Sequence, residues 1–172
     1  LKRRIDLAAG RELPELVLKN CRIVNVFTEE ILSGDIAIDC GWIVGVGQYQ
    51  GIQEIDLKNA YVAPGLIDAH VHLESSMVTP GQFAKAVLPH GTTTVIADPH
   101  EIANVCGLNG VRYMLEQSSE IPLDVFVMMP SCVPATPFEN AGAVIRAEDM
   151  VEMLEHPRVL GLGELMDYPG VI

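Results

Sequence analysis

The hydrophobic pattern of the first third of the chain indicates short β-strands. Residues 1–15 are charged and contain Ala and Gly, and they predict at most a short helix. From Leu16 onward, β-branched residues recur in partial alternation with polar ones, which is typical of strands. The segments with this pattern are residues 16–26, 35–39, 41–47, 55–57 and 61–63. We expect a hairpin turn at Cys40-Gly41, and the region as a whole is too small to hold a large core by itself.

After Pro64 the pattern changes to an alternation of apolar strands and helices. The predicted strands are residues 66–72, 92–97, 123–129 and 159–164, and the predicted helices are about 80–88, 110–117 and 147–154. Thr79 and Pro80 have the residue types that favour the first two positions of a helix. Four β/α units in sequence imply a parallel sheet with right-handed crossovers. Since an eightfold barrel takes about 250 residues, four units would be half of one. An open doubly wound sheet fits the same pattern.

Composition excludes several functional classes. The chain has 172 residues with 11 Lys and Arg against 23 Asp and Glu, and its net charge of −12 argues against a nucleic acid as partner. No apolar run reaches the roughly 18 residues of a membrane helix. The four cysteines are far apart and no secretory signal precedes them, so we expect free thiols in a cytoplasmic protein. The first residue is not Met, and we expect the chain to be an internal piece.

A pair of histidines at the end of the first predicted barrel strand is the leading candidate for metal binding. His70 and His72 are two residues apart in a strand, so their side chains share one face and can reach one cation. Imidazole is a common ligand of divalent metals. Two half-buried histidines with ordinary hydrogen bonds fit a bare His-x-His equally well. The metal interpretation leads because polar residues follow at once, and polar residues at that end of a barrel strand usually serve chemistry.

Each predicted strand of the second region ends in polar or reactive groups. These are His70 and His72, then Asp98 and His100, then Ser131 and Cys132, and finally Glu164. Because the C-terminal ends of parallel strands lie at the same edge of a sheet, we expect these side chains to converge. Burying Glu164 after an apolar run is costly unless a positive charge pairs with it, and a cation held by the histidines would supply that charge. Glu164 can instead form an ion pair at the sheet rim or cap a helix.

Several other polar residues have two interpretations at this point. His100 is a candidate catalytic residue, but residues 98–100 can equally be a simple turn. Glu74 and Glu101 either contact substrate or are solvated. His90 and His156 are expected to be structural.

Five segments carry a resemblance to a known family. Residues 64–72 resemble the first-strand signature of the amidohydrolase superfamily. Residues 72–80, 97–105, 130–136 and 161–166 are similar, in this order, to bacterial adenine deaminases. The resemblance implies that residues 63–172 are the first four β/α units of a metal-dependent (β/α)₈ TIM-like barrel. It also implies that residues 1–62 are an N-terminal segment and part of a small composite β-sandwich.

The resemblance further implies a binuclear centre of manganese or iron at the C-terminal mouth of the barrel. His70 and His72 would bind one metal, and Glu164 would bridge both metals and act in catalysis, with His100 as a further catalytic residue. A hydroxide formed by lowering the pKa of bound water would attack C6 of adenine, and ammonia would leave to give hypoxanthine. Two histidines and an aspartate from later strands would complete the ligands beyond Ile172. The intact enzyme is expected to form a homo-oligomer and to serve purine salvage.

Two alternatives stay open. The first is another amidohydrolase, acting on a cyclic amide or an acetylated sugar; Glu164 argues only against relatives that rely on a carboxylated lysine. The second is a non-catalytic fragment, because half a barrel leaves an open sheet edge and an uncovered apolar face.

Overall fold

The computed structural model describes residues 1–171, so Ile172, the last residue of the expected second domain, lies outside the described residues. The chain divides into two compact units, the first being Leu1–Pro64 and the second beginning at Gly65. Among the described residues, no helix has the length and apolar character needed to cross a membrane.

The first unit is a five-stranded sheet with one short helix. Its elements are α1 Lys2–Ala8, β1 Leu16–Asn25, β2 Glu30–Asp39, β3 Trp42–Gly47, β4 Gln53–Asp56 and β5 Tyr61–Val62. The strand order is β3-β2-β1-β4, and β5 also pairs with β1. The expected hairpin turn is confirmed. Asp39 pairs with Trp42, and the two residues between them, Cys40 and Gly41, both have positive φ, as a type I′ turn requires.

An irregularity interrupts the regular pairing of β1 with β2. The pairing of β1 with β2 shifts register between Leu18 and Cys21, and Asn20 has a φ of 55°. Asn tolerates this left-handed conformation better than most residues. The buried carboxylate of Asp35 accepts hydrogen bonds from the backbone N–H of Asn20 at 3.0 Å and from Nζ of Lys19 at 2.5 Å. One bulged strand therefore runs through the whole segment.

The second unit is a four-stranded parallel sheet with helical connections. Its strands are β6 Leu66–Val71, β7 Thr92–Ala97, β8 Asp124–Met129 and β9 Val159–Leu162. Its helices are α2 Pro80–Val87, α3 His100–Cys106, α4 Leu108–Gln117, α5 Ala147–Leu154 and α6 Tyr168–Val171, with 3₁₀ turns at Leu73–Ser76 and Leu88–His90. The strand order β6-β7-β8-β9 follows the chain. A doubly wound sheet reverses its order at a switch point, so the sequential order confirms the partial barrel.

The core of the second unit lies between the sheet and its helices. Val127 and Met129 of β8 are fully buried and belong to one cluster with Leu115 of α4 and Met150 and Met153 of α5. Alternate residues of β8 are less buried, as expected for a strand that presents two different faces.

Several predicted boundaries differ from the structure, and those near the strand ends of the second unit matter for the site. Residues 98–100 are not a simple turn, because His100 begins α3, a helix that the hydrophobic pattern did not predict. Gly107, with a φ of 62°, ends α3, and α4 begins at Leu108. The first and fourth barrel strands end at Val71 and Leu162, one and two residues earlier than predicted, so His72 and Glu164 lie just beyond their strands.

Candidate metal centre

His70 and His72 lie at the C-terminal end of β6 with their rings side by side. The ring centroids are 5.1 Å apart and the rings are nearly perpendicular, at 81°. The backbone N–H of Asp98 donates to the carbonyl oxygen of Val71 at 2.9 Å, which ties this end of β6 to the end of β7. The neighbouring strand therefore fixes the backbone between the two histidines.

Glu164 faces both histidines. Its Oε1 lies 2.9 Å from Nε2 of His70, and its Oε2 lies 3.8 Å from Nε2 of His72. One ligand atom from each of the three residues lies within 4.8 Å of the other two. The side chains of His70 and Glu164 are 50% and 40% exposed, so the grouping opens to solvent.

The backbone around Glu164 is held by two neighbouring strand ends. The N–H of Gly163 donates to the carbonyl oxygen of Met129 at 2.7 Å, and the N–H of Glu164 donates to Oδ2 of Asp98 at 2.9 Å. The hydroxyl of Ser131 donates to the carbonyl oxygen of Glu164. A Cβ atom on Gly163 would lie only 2.2 Å from Oδ2 of Asp98, so the site requires glycine at that position.

Asp98 and His100 form a buried pair beside this grouping. Their side chains are 1% and 8% exposed, and Oδ1 of Asp98 contacts Nδ1 of His100. Burial raises the pKa of Asp98, but the hydrogen bond with His100 and the N–H of Glu164 outweigh it and leave the pKa lowered. Burial lowers the pKa of His100, and the hydrogen bond and charge of Asp98 outweigh it, so that pKa is raised. The pair favours a charged carboxylate next to a protonated ring.

The two nitrogens of the buried His100 ring differ in their contacts. Nδ1 contacts Oδ1 of Asp98, whereas Nε2 has neither a hydrogen bond nor an ion-pair partner within the part of the chain that the structure describes. Asp98, His100 and Glu164 also place one ligand atom each within 4.8 Å of one another. Because both oxygens of Asp98 already have partners, in Glu164 and His100, Asp98 orients its neighbours rather than offering a free ligand atom. Nε2 of His100 is the atom left for chemistry.

Glu101, for which the sequence allowed either a substrate contact or a solvated position, contacts His72 and Ser75. Oε2 of Glu101 lies 3.1 Å from Nδ1 of His72, and the hydroxyl of Ser75 donates to Oε1 of Glu101 at 2.7 Å. Burial raises the pKa of Glu101, and the Ser75 hydrogen bond helps to outweigh it, so the pKa is lowered. Burial raises the pKa of Glu74, whose Oε1 accepts the N–H of Ile102 at 3.2 Å. The only indication in the sequence that Glu101 lies near the site was its position directly after His100.

A cleft of about 390 Å³ opens beside these groups. It is lined by His72, His100, Glu101, Asn104, Cys132, Ala135, Glu139, Glu164 and Met166. Burial raises the pKa of the Cys132 thiol, but the Ser131 hydroxyl and backbone N–H groups outweigh it and lower the pKa. The cleft brings residues from all four predicted strand ends to one place.

Other polar residues lie away from this cleft. His90 is in the 3₁₀ turn that precedes β7, at the N-terminal end of the sheet, and Nδ1 of His156 accepts the backbone N–H of Arg158 at 3.2 Å. In the first unit, Glu15, Asp39 and Cys40 also group within 4.8 Å. Because Arg3 already binds Asp39 through two hydrogen bonds, this grouping offers no free ligand set.

Comparison with known proteins decides the family. Residues 61–170 match the Amidohydrolase family. The chain belongs to the amidohydrolase family. Over 172 residues it is 60% identical to an adenine deaminase of Clostridium acetobutylicum and 55% identical to adenine deaminase 2 of Carboxydothermus hydrogenoformans. Both comparisons cover 100% of this chain and 30% of the relative, so the chain spans about a third of the length of these relatives. The resemblance carried by the short segments thus extends over the whole chain.

Solved structures show the same fold at low identity. Atrazine chlorohydrolase TrzN from Arthrobacter aurescens TC1, complexed with zinc, has a TM-score of 0.63 and 17% identity, over 86% of this chain and 46% of that one. A triazine hydrolase variant has a TM-score of 0.64 and 19% identity, over 91% and 48%. These similarities show that the chain shares the fold of the matched parts of these two proteins.

The donor set of this amidohydrolase fits a divalent metal ion. Nε2 of His70, Nε2 of His72 and a carboxylate oxygen of Glu164 are two imidazole nitrogens and one anionic oxygen, a set that suits zinc, manganese or iron. The close approach of Glu164 to both Nε2 atoms is the arrangement that a shared cation would stabilise. The residues present can hold one such ion, with positions left open for other ligands.

Proposed function

We propose that this protein is an adenine deaminase that hydrolyses adenine to hypoxanthine and ammonia in purine salvage. The observation that carries the proposal is the 54–60% identity, over nearly the entire chain, to proteins named adenine deaminase. The open cleft beside His70, His72 and Glu164 supports it, because a purine needs access to the metal ligands. The reaction breaks the bond between C6 and the exocyclic nitrogen and forms a bond from C6 to the oxygen of water.

We propose a binuclear centre of manganese or iron, in which His70 and His72 would hold one ion and Glu164 would be a ligand of both. When bound, the metal supplies the Lewis acidity that makes water a nucleophile near neutral pH. The contribution of the protein is to hold the metal-ligand side chains in position. Asp98 and Ser131 hold the backbone of Glu164, so the carboxylate is directed at the histidines before any ion arrives.

His100 is the proposed catalytic residue that contacts the purine. It lines the cleft, and its Nδ1 is held by Asp98, so Nε2 is the nitrogen that remains to hydrogen-bond the substrate. A buried polar atom without a partner costs about 1–3 kcal/mol, and a bound purine nitrogen or oxygen would relieve that cost. Asp98 acts by orienting the ring rather than by touching the substrate.

The remaining assignments concern the whole protein. We propose that residues 1–62 belong to a composite β-sandwich and that residues 63–172 are the first half of the catalytic barrel. We also propose a cytoplasmic homo-oligomer that uses neither nucleic acid nor membrane as a partner, in line with the net charge of −12.

The test is ammonia release from adenine by the full-length protein loaded with manganese. We expect turnover in the wild type and none in a His70→Ala/His72→Ala variant, because that variant lacks two metal ligands. A panel of other purines, cyclic amides and acetylated sugars runs beside adenine. Turnover of a panel member in place of adenine would contradict the deaminase assignment and leave a different amidohydrolase activity.

A further inference from the structure

We propose that Glu101 is a positioning residue for the metal ligand His72. Its carboxylate holds the imidazole by Nδ1 and thereby directs Nε2 at the cation. The inference rests on the metal centre of the proposed function and adds a residue that sets how tightly that centre binds its ion.

The two ring nitrogens of His72 face different partners. Nδ1 lies 3.1 Å from Oε2 of Glu101, and Nε2 lies 3.8 Å from Oε2 of Glu164. A neutral imidazole carries one N–H, and its other nitrogen offers a lone pair. Because a carboxylate only accepts, Glu101 favours the tautomer with the hydrogen on Nδ1. The lone pair then lies on Nε2, the nitrogen that faces Glu164.

Glu101 is itself fixed by a second contact. The hydroxyl of Ser75 donates to Oε1 at 2.7 Å, so each oxygen of Glu101 has its own partner. Ser75 belongs to the 3₁₀ turn that follows His72, and Glu101 belongs to the first turn of α3. The contact therefore joins the segment after β6 to the segment after β7. A carboxylate with both oxygens hydrogen-bonded restricts the orientation of the ring more than a freely rotating carboxylate would.

His70 provides an internal contrast. Its Nε2 also faces Glu164, at 2.9 Å, and its backbone N–H donates to Asp68 at 3.2 Å. Among the residues that the structure describes, no carboxylate hydrogen-bonds Nδ1 of His70. The two ligands are thus supported unequally, and Glu101 acts on His72 alone.

The exposure of Glu101 indicates a role in metal binding rather than in folding. Its side chain is 51% exposed, and an ion pair at that exposure adds little to stability. A carboxylate that orients a metal-bound histidine, in contrast, typically changes metal affinity about 10- to 100-fold. A structural role for Glu101 therefore predicts that its loss changes stability, and a positioning role predicts that its loss changes metal affinity.

The experiment measures Mn²⁺ binding to the metal-free full-length protein by titration calorimetry, beside its melting temperature without metal. For Glu101→Gln we expect affinity about 10- to 100-fold weaker and an unchanged melting temperature. Ser75→Ala should weaken binding in the same direction but less, since Glu101 remains charged. The matched control is Glu139→Gln, which removes a charge from the same cleft at a residue bonded to Thr136 and not to His72. Its affinity should stay within about threefold of the wild type.

A spectroscopic measurement adds a second readout. The visible absorption of the Co²⁺-loaded protein reports ligand geometry, and we expect it to change in Glu101→Gln and not in Glu139→Gln. Equal Mn²⁺ affinity in wild type and Glu101→Gln would overturn the inference while leaving the metal centre in place. A lower melting temperature with unchanged affinity would overturn it too, because Glu101 would then be structural. A wild type that binds no Mn²⁺ would overturn the metal centre of the proposed function and this inference with it.

Discussion

At the scale of single residues, the geometry of the candidate metal centre follows from the position of each side chain on its strand. His70 and His72 share a face because they are two residues apart at the end of a strand, and Glu164 reaches them because parallel strands end at one edge. The contacts of Asp98 and Glu101 could not be predicted in the same way. They depend on where α3 begins and on how side chains rotate, and neither has a periodic signal.

Gly163 leads to a prediction at this scale. We expect Gly163→Ala to destabilise the protein by about 1–3 kcal/mol, the usual cost of overpacking, because its Cβ would overlap the carboxylate of Asp98. Asp98 must then move away from the N–H of Glu164, so Mn²⁺ affinity should fall as well. Urea denaturation and metal titration measure the two effects.

Gly81→Ala is the matched control for Gly163→Ala. The nearest atom to its added Cβ would be Cγ2 of Ile121 at 3.9 Å, which is an ordinary contact. In α2 this change should stabilise the protein by about 0.5 kcal/mol, since Ala has less freedom to lose on folding. If Gly163→Ala were as harmless as Gly81→Ala, the close contact with Asp98 would not constrain the site.

At the scale of elements, apolar runs and turn residues located most of the strands and helices. The strand at 92–97 and the helix at 147–154 both have the predicted bounds. The helix α3 was missed because Pro99 is typical of a turn as well as of a helix start, and α3 is short with few buried positions. Glu101 in its first turn was the available signal, because an acidic side chain is favoured there.

Asp35 carries the prediction at this scale, because it joins three segments of the first unit. Its carboxylate on β2 binds Lys19 and Asn20 at the bulge of β1 and also the backbone N–H of Tyr49 after β3. Asp35→Asn should lower the free energy of unfolding by about 2 kcal/mol, as expected for losing hydrogen bonds to a charged group. The urea midpoint at pH 7 measures it. Asp56→Asn, at an exposed residue of the same unit, should have a much smaller effect.

The same carboxylate predicts a dependence on pH. Burial raises the pKa of Asp35, but Lys19 and the two N–H groups outweigh it, so the pKa is below its ordinary value when folded. A carboxylate with a lowered pKa stabilises the fold above its unfolded pKa of about 3.9, and this contribution is lost as pH falls through the folded pKa. The urea midpoints of wild type and Asp35→Asn should therefore converge below about pH 4. A difference that stayed constant down to pH 2 would show that the charge is not responsible.

At the scale of the whole molecule, the order of strands in the chain determines where the chemistry lies. Because β6, β7, β8 and β9 are neighbours in sequence order, residues up to about ninety positions apart meet at one edge of the sheet. His72 and Glu164 are such a pair. Sequence alone could place the groups at that edge. It could not provide their distances, which depend on strand length and on the residues that follow each strand.

A metal held between these strand ends couples binding to the stability of the fold. An ion that binds only the folded state stabilises it by about 2.7 kcal/mol at a free concentration one hundred times its dissociation constant. We therefore expect Mn²⁺ to raise the melting temperature of the full-length protein and a chelator to reverse the rise. His70→Ala/His72→Ala should reduce the metal-dependent increase, because the ion that these two histidines would hold loses both of its imidazole ligands.

His90→Ala is the control that separates this coupling from a general effect of losing histidine. His90 lies in the 3₁₀ turn before β7, at the end of the sheet opposite to Glu164, so its loss should leave the metal-dependent increase intact. A rise of equal size in the double variant would mean that Mn²⁺ stabilises the protein from another place, and the assignment of His70 and His72 as ligands would then be wrong. A rise that is equal in wild type and His90→Ala but smaller in the double variant would locate a stabilising ion at the strand ends where Glu164 meets both histidines.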